Sequence, residues 1–173
     1  MAAIDLGMPY VFTASFDTAG RTMMGIKPEE LVALANSFPQ KPIAIGANCG
    51  VGASDLLMSV LGMDAARHGI APIIVAKANC GIPQVRGDKV EYTGTPDLMA
   101  RYAHMAIDAG ARIIGGCCGT APEHLKAMRA ALDAHAAGKK PTLETVTADI
   151  GPLQAPPNEA ADGGGRRTRR RRG

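Results

Sequence analysis

Arg112-Ile-Ile-Gly-Gly-Cys117-Cys118-Gly-Thr120 is the stretch that decides the fold, because a short apolar run ends there in two adjacent cysteines. Adjacent strand residues point to opposite faces, so both thiols aim at one point only where the strand ends and the backbone turns. The flanking glycines supply the backbone freedom that such a turn requires. Two neighbouring thiols indicate a soft metal such as zinc, which would need one or two further ligands from elsewhere in the chain.

The order of strand, Gly-rich loop and helix occurs four times along the chain. Apolar strands alternating with helices are typical of an α/β protein with a parallel sheet. The predicted helix starts are at Pro28, Ser54, Thr95 with Pro96, and Thr120. Thr120 is predicted to be an N-cap. The stretch 82–94 is predicted to be a loop. The predicted strands are 10–16, 42–46, 72–76 and 112–115.

All four cysteines follow predicted strands. Cys49 and Cys80 lie in two identical Ala-Asn-Cys-Gly segments, and Cys117 and Cys118 take the same place in the fourth unit. The carboxyl ends of parallel strands meet at one edge, which is where barrels and open parallel sheets carry their sites. The residues alone leave two interpretations open: a metal or catalytic thiol site, or free cysteines packed in a core.

Composition limits the class of protein. The chain has 173 residues, 46% of them apolar, which is enough for one domain. It contains no apolar run of the roughly 18 residues that a membrane span needs, and its first residues lack the pattern of a signal peptide. We therefore expect no membrane partner and a cytoplasmic location, where thiols stay reduced and disulfides are rare.

The basic charge is concentrated at the C-terminal end. The segment 151–173 contains six arginines, all within 166–172, and two acidic residues, so its net charge is +4. Because the whole chain has a net charge of +3, residues 1–150 carry a net charge of −1. Its prolines, glycines and arginines predict a disordered tail over 151–173, following a domain over 1–150. A basic cluster alone can bind nucleic acid, but the tail has no aromatics and the body is neutral, so we expect a solvated end rather than a nucleic-acid site.

Three segments follow the second, third and fourth predicted strands: Gly46-Ala-Asn-Cys49-Gly, Ala78-Asn79-Cys-Gly-Ile-Pro83 and Gly115-Gly-Cys117-Cys118-Gly-Thr120. In sequence, order and spacing they resemble signature segments of the homocysteine S-methyltransferase family, including its betaine–homocysteine members. The resemblance extends over about residues 8–135 and includes the loop 15–25. It implies a (βα)₈ barrel with zinc at its C-terminal mouth.

The resemblance also implies the roles of single residues. Cys49, Cys117 and Cys118 would be the zinc ligands, and the homocysteine sulfur would take the fourth position. Asn79 matches a position that can supply an oxygen ligand when substrate is absent. Cys80 falls where relatives carry a small residue that is not a ligand, so a core role is expected for it. The implied reaction transfers a methyl group from a betaine-like donor to the homocysteine thiol, giving methionine.

A complete barrel needs eight βα units, and this chain shows four. The resemblance implies that they are units five to eight, with residues 1–7 as the end of the preceding helix. We therefore expect a C-terminal half that lacks part of the substrate site and is an impaired catalyst. The alternative is a non-catalytic zinc-binding half-domain that pairs with itself or with a separate N-terminal half, since a half-barrel exposes two sheet edges.

Overall fold

The computed structural model describes residues 7–67 and 72–156, apart from the side chain of Arg86. The predicted helix end over residues 1–6, His68 and the arginine-rich run lie outside the described residues. Within them, the structure contains six strands and five helices. They are β1 (Val11–Ala14), α1 (Pro28–Ser37), β2 (Ala44–Cys49), α2 (Ala53–Arg67), β3 (Ile73–Ala78), β4 (Pro83–Arg86), β5 (Lys89–Tyr92), α3 (Pro96–Asp108), β6 (Ala111–Gly116), α4 (Pro122–Asp133) and α5 (Leu143–Asp149).

The main sheet has four parallel strands in the order β1-β2-β3-β6. This order follows the chain, so each crossover moves one strand further in the same direction. Because such crossovers are right-handed, the connecting helices lie on one face of the sheet, as they do in a barrel. The α/β class with parallel strands is confirmed, and the sheet ends at two edge strands, β1 and β6.

The hydrophobic core lies between the sheet and the helices. Most of its largest fully buried side chains come from strands β2 and β3 and from helices α2 and α3, and Val146 of α5 and Cys80 complete the set. Burial of such side chains stabilises the fold by roughly 1.5–3 kcal/mol each, so this layer holds the sheet in place. Those side chains include Ile45, Ile74, Leu57, Val60, Met63, Met99 and Tyr102.

Local chemistry explains where the helices begin. Pro28 and Pro96 occupy first-turn positions, and the Thr95 hydroxyl accepts a hydrogen bond from Leu98 N. The prediction of Thr120 as an N-cap was wrong. The N-cap of α4 is Ala121, whose N–H donates to Nδ1 of the buried His124 at 3.0 Å. Thr120 instead packs on Gly116, where a Cβ would lie 2.1 Å from its Oγ1.

The prediction of a loop over 82–94 was also wrong, because β4 and β5 form an antiparallel hairpin there. The turn is Gly87-Asp88, and Gly87 has φ +61°. A Gly-Asp pair between Val85 and Val90 is a recognised hairpin signal, so the sequence contained the information. The hairpin stands at the end of β3, beside the Cys117–Cys118 turn.

Residues 151–156, here called the strap, are held against helix α2, so assigning them to a disordered tail was wrong. Gln154 N and Ala155 N donate to the two carboxylate oxygens of Asp55, at 3.0 and 2.9 Å. Ser54 Oγ donates to the Gly151 carbonyl at 2.7 Å. These polar partners are long-range in sequence, which is why composition did not indicate them. The remaining tail, 157–173, lies outside the described residues.

Candidate metal centre

The strand register brings the cysteine-bearing turns to one level of the sheet. Cys49 is paired with Ala78, and Ala78 with Gly116, so the Cys117–Cys118 turn begins one residue beyond the end of β3. Cys117 N donates to the Ala78 carbonyl at 2.7 Å. The parallel pairing therefore continues into the turn that carries both thiols.

The three sulfur atoms form a compact triangle above the end of β3. Cys49 Sγ lies 3.6 Å from Cys118 Sγ, and Cys117 Sγ lies 3.9 Å from Cys118 Sγ. All three sulfurs are within 4.8 Å of one another. A tetrahedral zinc with bonds of about 2.3 Å separates two sulfurs by roughly 3.8 Å, so this triangle fits a zinc ion.

Backbone conformation explains how Cys49 reaches Cys118 across an intervening strand. Neighbouring strands are about 4.8 Å apart, so these two cysteines start on strands separated by roughly twice that distance. Cys49 has φ +58°, in the left-handed region that residues other than glycine rarely adopt. Gly50 follows with φ +74°, and Gly119 after the cysteine pair has the same value. These turns bend the two backbone segments, after β2 and after β6, toward β3.

Asn79 joins the two cysteine turns. Its side chain is buried; Oδ1 accepts a hydrogen bond from Cys118 N at 3.2 Å, and Nδ2 donates to the Gly50 carbonyl at 2.7 Å. Both ends of one amide therefore hold the backbone beside two of the cysteines. Sequence reasoning noticed Asn79 as a possible oxygen ligand, and that role stays a prediction. Its bridging role depends on two long-range contacts that no local pattern encodes.

Cys80 has a different environment from the other three cysteines. It is fully buried, and its Sγ donates to the Gly94 carbonyl at 3.4 Å. Burial raises the pKa of the Cys80 thiol, and the nearby Glu123 charge raises it further. The thiol is thus held protonated within the core, outside the sulfur triangle. This agrees with the expected core role.

The electrostatics of the triangle favour a bound cation. Burial raises the pKa of Cys49, and the hydrogen bond to Cys118 and the charge of Cys117 raise it further. The pKa of Cys118 is lowered, first by the hydrogen bond with Cys49 and then by the neighbouring Tyr92 and Cys117. Cys118 therefore ionises at a lower pH than Cys49, and its negative charge disfavours ionisation of a second thiol beside it. A divalent metal bound to the sulfurs would offset this repulsion between thiolates.

Sequence reasoning missed Tyr92, the last residue of β5. Its ring lies against the turn after the cysteine pair, where a Cβ on Gly119 would lie 2.4 Å from Tyr92 Cγ. The neighbouring Cys118 is the largest cause of the raised pKa of Tyr92. The signal that could have found it was the Gly87-Asp88 turn, which predicts the hairpin that carries Tyr92 to the site.

All four cysteines are free, with Cys49 and Cys117 half-buried and Cys118 exposed. The triangle is therefore accessible from the carboxyl edge of the sheet.

Among residues 7–67 and 72–156, no helix is both long enough and apolar enough to cross a bilayer.

The fold is similar to that of proteins of known structure. The chain is similar in fold to three crystal structures of the homocysteine methyltransferase MmuM from Escherichia coli. The metallated form has 23% sequence identity and a TM-score of 0.56, over 74% of this chain and 37% of that chain. For the apo form the values are 23% and 0.54, over 72% and 40%, and for the oxidized form 24% and 0.51, over 71% and 35%.

These alignments have a clear limit, since the chain spans less than half the length of the structures that it matches. At this level of identity they show the fold. The family itself is shown by sequence, because the family model described as homocysteine S-methyltransferase matches residues 1–132. That range contains the whole sulfur triangle, Asn79 and the hairpin. The chain belongs to the homocysteine S-methyltransferase family.

Proposed function

We propose that this chain carries the zinc-binding part of an enzyme that transfers a methyl group to the thiol of homocysteine and forms methionine. The observation that carries the proposal is the triangle of Cys49, Cys117 and Cys118, with sulfur separations of 3.6 and 3.9 Å where two pairs approach. Membership of the family supports homocysteine as the acceptor. The metallated form of MmuM supports a metal in this fold.

Each part of the site has a distinct task in the proposed reaction. The three cysteines hold zinc, and the exposed side of the triangle leaves room for the acceptor thiol. Zinc bound there would supply the charge that keeps a thiol of pKa near 8.5 deprotonated at neutral pH, and the thiolate is the nucleophile. Asn79 fixes the separation of the two cysteine turns, so that the ligands are held before substrate arrives.

The methyl donor is proposed to be betaine-like, a quaternary ammonium or sulfonium compound. The thiolate would bond to the methyl carbon as the donor's C–N or C–S bond breaks, and the electron pair of that bond would stay on the departing amine or thioether. The four βα units are proposed to be units five to eight of the barrel. Groups that hold the amino acid part of homocysteine and part of the donor would then come from units outside this chain, so the chain alone is expected to be impaired. The free cysteines fit a cytoplasmic location.

The test is methionine formation by the full chain loaded with zinc and supplied with homocysteine and glycine betaine. We expect slow formation that disappears on chelation and in Cys117→Ser, at a rate at least about 100-fold below a complete family member, because misplaced reactants cost rates of that order. Cys80→Ala is the control, since its thiol lies outside the triangle. Turnover equal to a complete member contradicts the impairment, and turnover that survives Cys117→Ser contradicts the metal site.

The alternative is a non-catalytic zinc-binding half-domain that pairs with itself or with a separate N-terminal half. The observation in its favour is the pair of edge strands, β1 and β6, which carry the exposed apolar residues Val11 and Ile113. Unpaired edges are templates for association with another chain. This alternative predicts zinc binding without any methionine formation in the experiment above, and association in solution.

A further inference from the structure

The face of the sheet opposite the helices, here called the open face, carries two polar side chains near the metal centre. Ala76 and Ala78 of β3 pack into the core beneath the helices. Because successive strand residues alternate, Lys77 between them points to the open face. Asn48 is the register partner of Lys77 on β2, and Gly115 is its partner on β6. The amide and ammonium side chains are therefore neighbours in one row across the sheet.

This row lies next to the level of the cysteine turns. Ala78, the residue after Lys77, is paired with Cys49 and with Gly116. Its carbonyl accepts a hydrogen bond from the N–H of Cys117 at 2.7 Å. Each strand residue rises about 3.3 Å, so a small molecule that reacts at the sulfur triangle is long enough to reach the row as well.

Both polar groups lack a partner within the described part of the chain. Lys77 and Asn48 are half-buried, and neither side chain has a hydrogen bond or an ion pair there. A partly desolvated charge is costly without a counter-charge, so the ammonium favours an anionic ligand. The row also has space for one. Apart from chain neighbours, the only described atom within 4 Å of a Cβ on Gly115 would be Lys77 Cγ, at 3.8 Å.

We propose that Asn48 and Lys77 form a carboxylate subsite, which binds the carboxylate of a betaine-like methyl donor. An ammonium group and an amide N–H both donate to carboxylate oxygens, and the charged hydrogen bond is the stronger of the two. In glycine betaine a single methylene separates the carboxylate from the quaternary nitrogen. A donor held by its carboxylate in this row therefore keeps its methyl groups beside the sulfur triangle. The inference deepens the proposed function and rests on the methyl donor of that proposal.

The experiment measures ligand binding by the full zinc-loaded chain, without methyl transfer. NMR titration of the isotope-labelled chain compares glycine betaine with choline, which keeps the quaternary ammonium but has a hydroxyl in place of the carboxylate. Lys77→Met removes the charge and keeps an unbranched side chain, whereas Lys77→Arg keeps the charge. Lys126→Met is the matched control, because Lys126 is exposed on helix α4, on the other side of the sheet from the open face.

We expect the wild-type chain to bind glycine betaine more tightly than choline. Lys77→Met should bind glycine betaine at least about 10-fold more weakly, as is usual when a hydrogen bond to a charged group is lost, with choline binding unchanged. Lys77→Arg and Lys126→Met should keep the preference for glycine betaine. Unchanged glycine betaine affinity in Lys77→Met, or a wild-type chain without the preference, would overturn the proposal.

Two further titrations test the amide and the identity of the ligand. Asn48→Asp gives Lys77 a carboxylate partner within the chain and should weaken the binding of glycine betaine but not of choline; equal affinities would contradict the role of Asn48. Homocysteine also has a carboxylate, so a Lys77→Met chain that loses only homocysteine binding would overturn the assignment to the donor. A wild-type chain that shows the expected affinities but makes no methionine refutes the proposed methyl transfer and supports the subsite.

Discussion

At the residue scale, the site depends on Cys49, whose backbone has an unusual conformation. Cys49 has φ +58°, and residues other than glycine adopt such values at a cost of roughly 1–3 kcal/mol. The surrounding contacts must therefore hold it there. Asn79 provides one of them through its 2.7 Å hydrogen bond to the Gly50 carbonyl. The strained cysteine and the buried amide that restrains its neighbour form one unit.

This unit predicts the effect of Asn79→Ala. Removing the amide frees the Cys118 N–H and the Gly50 carbonyl, so the cysteine turns lose their fixed separation. We expect a 10–100-fold loss of zinc affinity, the usual effect of losing a partner that orients ligands, in a competition titration. Gln40→Ala is the matched control, since its amide donates to the Met8 carbonyl at the opposite end of the sheet. Equal zinc affinities in both variants would contradict the bridging role.

The residues also show what sequence can and cannot predict here. That the cysteines lie at the carboxyl ends of parallel strands was predictable, because apolar runs and Gly-rich turns are local signals. The strand bounds were less accurate, since β2 runs to Cys49 and not to 46 as predicted. The bridging by Asn79 was not, since it joins residues 29 and 39 positions away. Thr120 is an instructive error: its position suggests a cap, but its packing against Gly116 decides its conformation, and His124 satisfies the first N–H of α4 instead.

At the element scale, the N-terminus of α2 holds the strap. Asp55 is buried and accepts the backbone N–H groups of Gln154 and Ala155. Because α2 begins just after the Cys49 turn, the strap buttresses the helix that follows the site. A carboxylate at a helix N-terminus is also favoured by the helix dipole.

Truncation tests this contact. A chain that ends at Gly151 should unfold at a temperature at least about 6 °C lower than the full chain, because it loses two hydrogen bonds to the Asp55 carboxylate worth about 1.5–3 kcal/mol each. A chain that ends at Pro156 keeps both bonds and is the control, with an expected midpoint equal to that of the full chain. Thermal unfolding followed by circular dichroism measures both. Equal midpoints for the two truncated chains would contradict the role of the strap.

Asp64 links α2 to the segments around it. Its carboxylate pairs with Arg67 and Lys140, and Arg67 also donates to the Gly110 carbonyl before β6. Burial acts to raise the pKa of Asp64, but the hydrogen bonds and charges of Lys140 and Arg67 outweigh it and lower the pKa. A depressed carboxyl pKa stabilises the fold above the unfolded value of about 3.9, and this contribution is lost as the pH falls through the lower folded value.

Asp64→Asn should therefore destabilise the chain by about 1 kcal/mol at pH 7, since Lys140 is half exposed and water screens part of the interaction. The difference from the wild type should shrink as the pH falls below about 3.9. Urea unfolding at pH 7 and pH 3 measures it. Asp133→Asn removes a fully exposed pair with Arg129 and should change nothing measurable. A difference between Asp64→Asn and the wild type that stays constant with pH would contradict the assignment.

At the scale of the whole molecule, the sheet has two open edges. Val11 on β1 and Ile113 on β6 are 46% and 44% exposed, and Ile43 and Ile73 beside them are 55% and 43% exposed. The chain order of the strands, predictable from the four βα repeats, produces these edges.

The open edges predict association in solution. We expect the purified chain to sediment as a dimer or a larger species, because edge strands with apolar side chains pair with other strands. Ile113→Lys places a charge on edge strand β6 and should shift the population toward monomer. Val90→Lys is the control, since Val90 is also exposed (56%) but lies on the hairpin. A wild-type chain that sediments as a monomer at all concentrations would contradict this prediction.

The central claim is that three cysteines hold one zinc with a position open to the homocysteine thiol. Zinc K-edge X-ray absorption on the full chain measures the number of sulfur ligands directly. We expect three sulfurs at about 2.3 Å and one lighter ligand without substrate, and four sulfurs after homocysteine is added. Fewer than three sulfurs per zinc, or a sulfur count that homocysteine does not change, would contradict it.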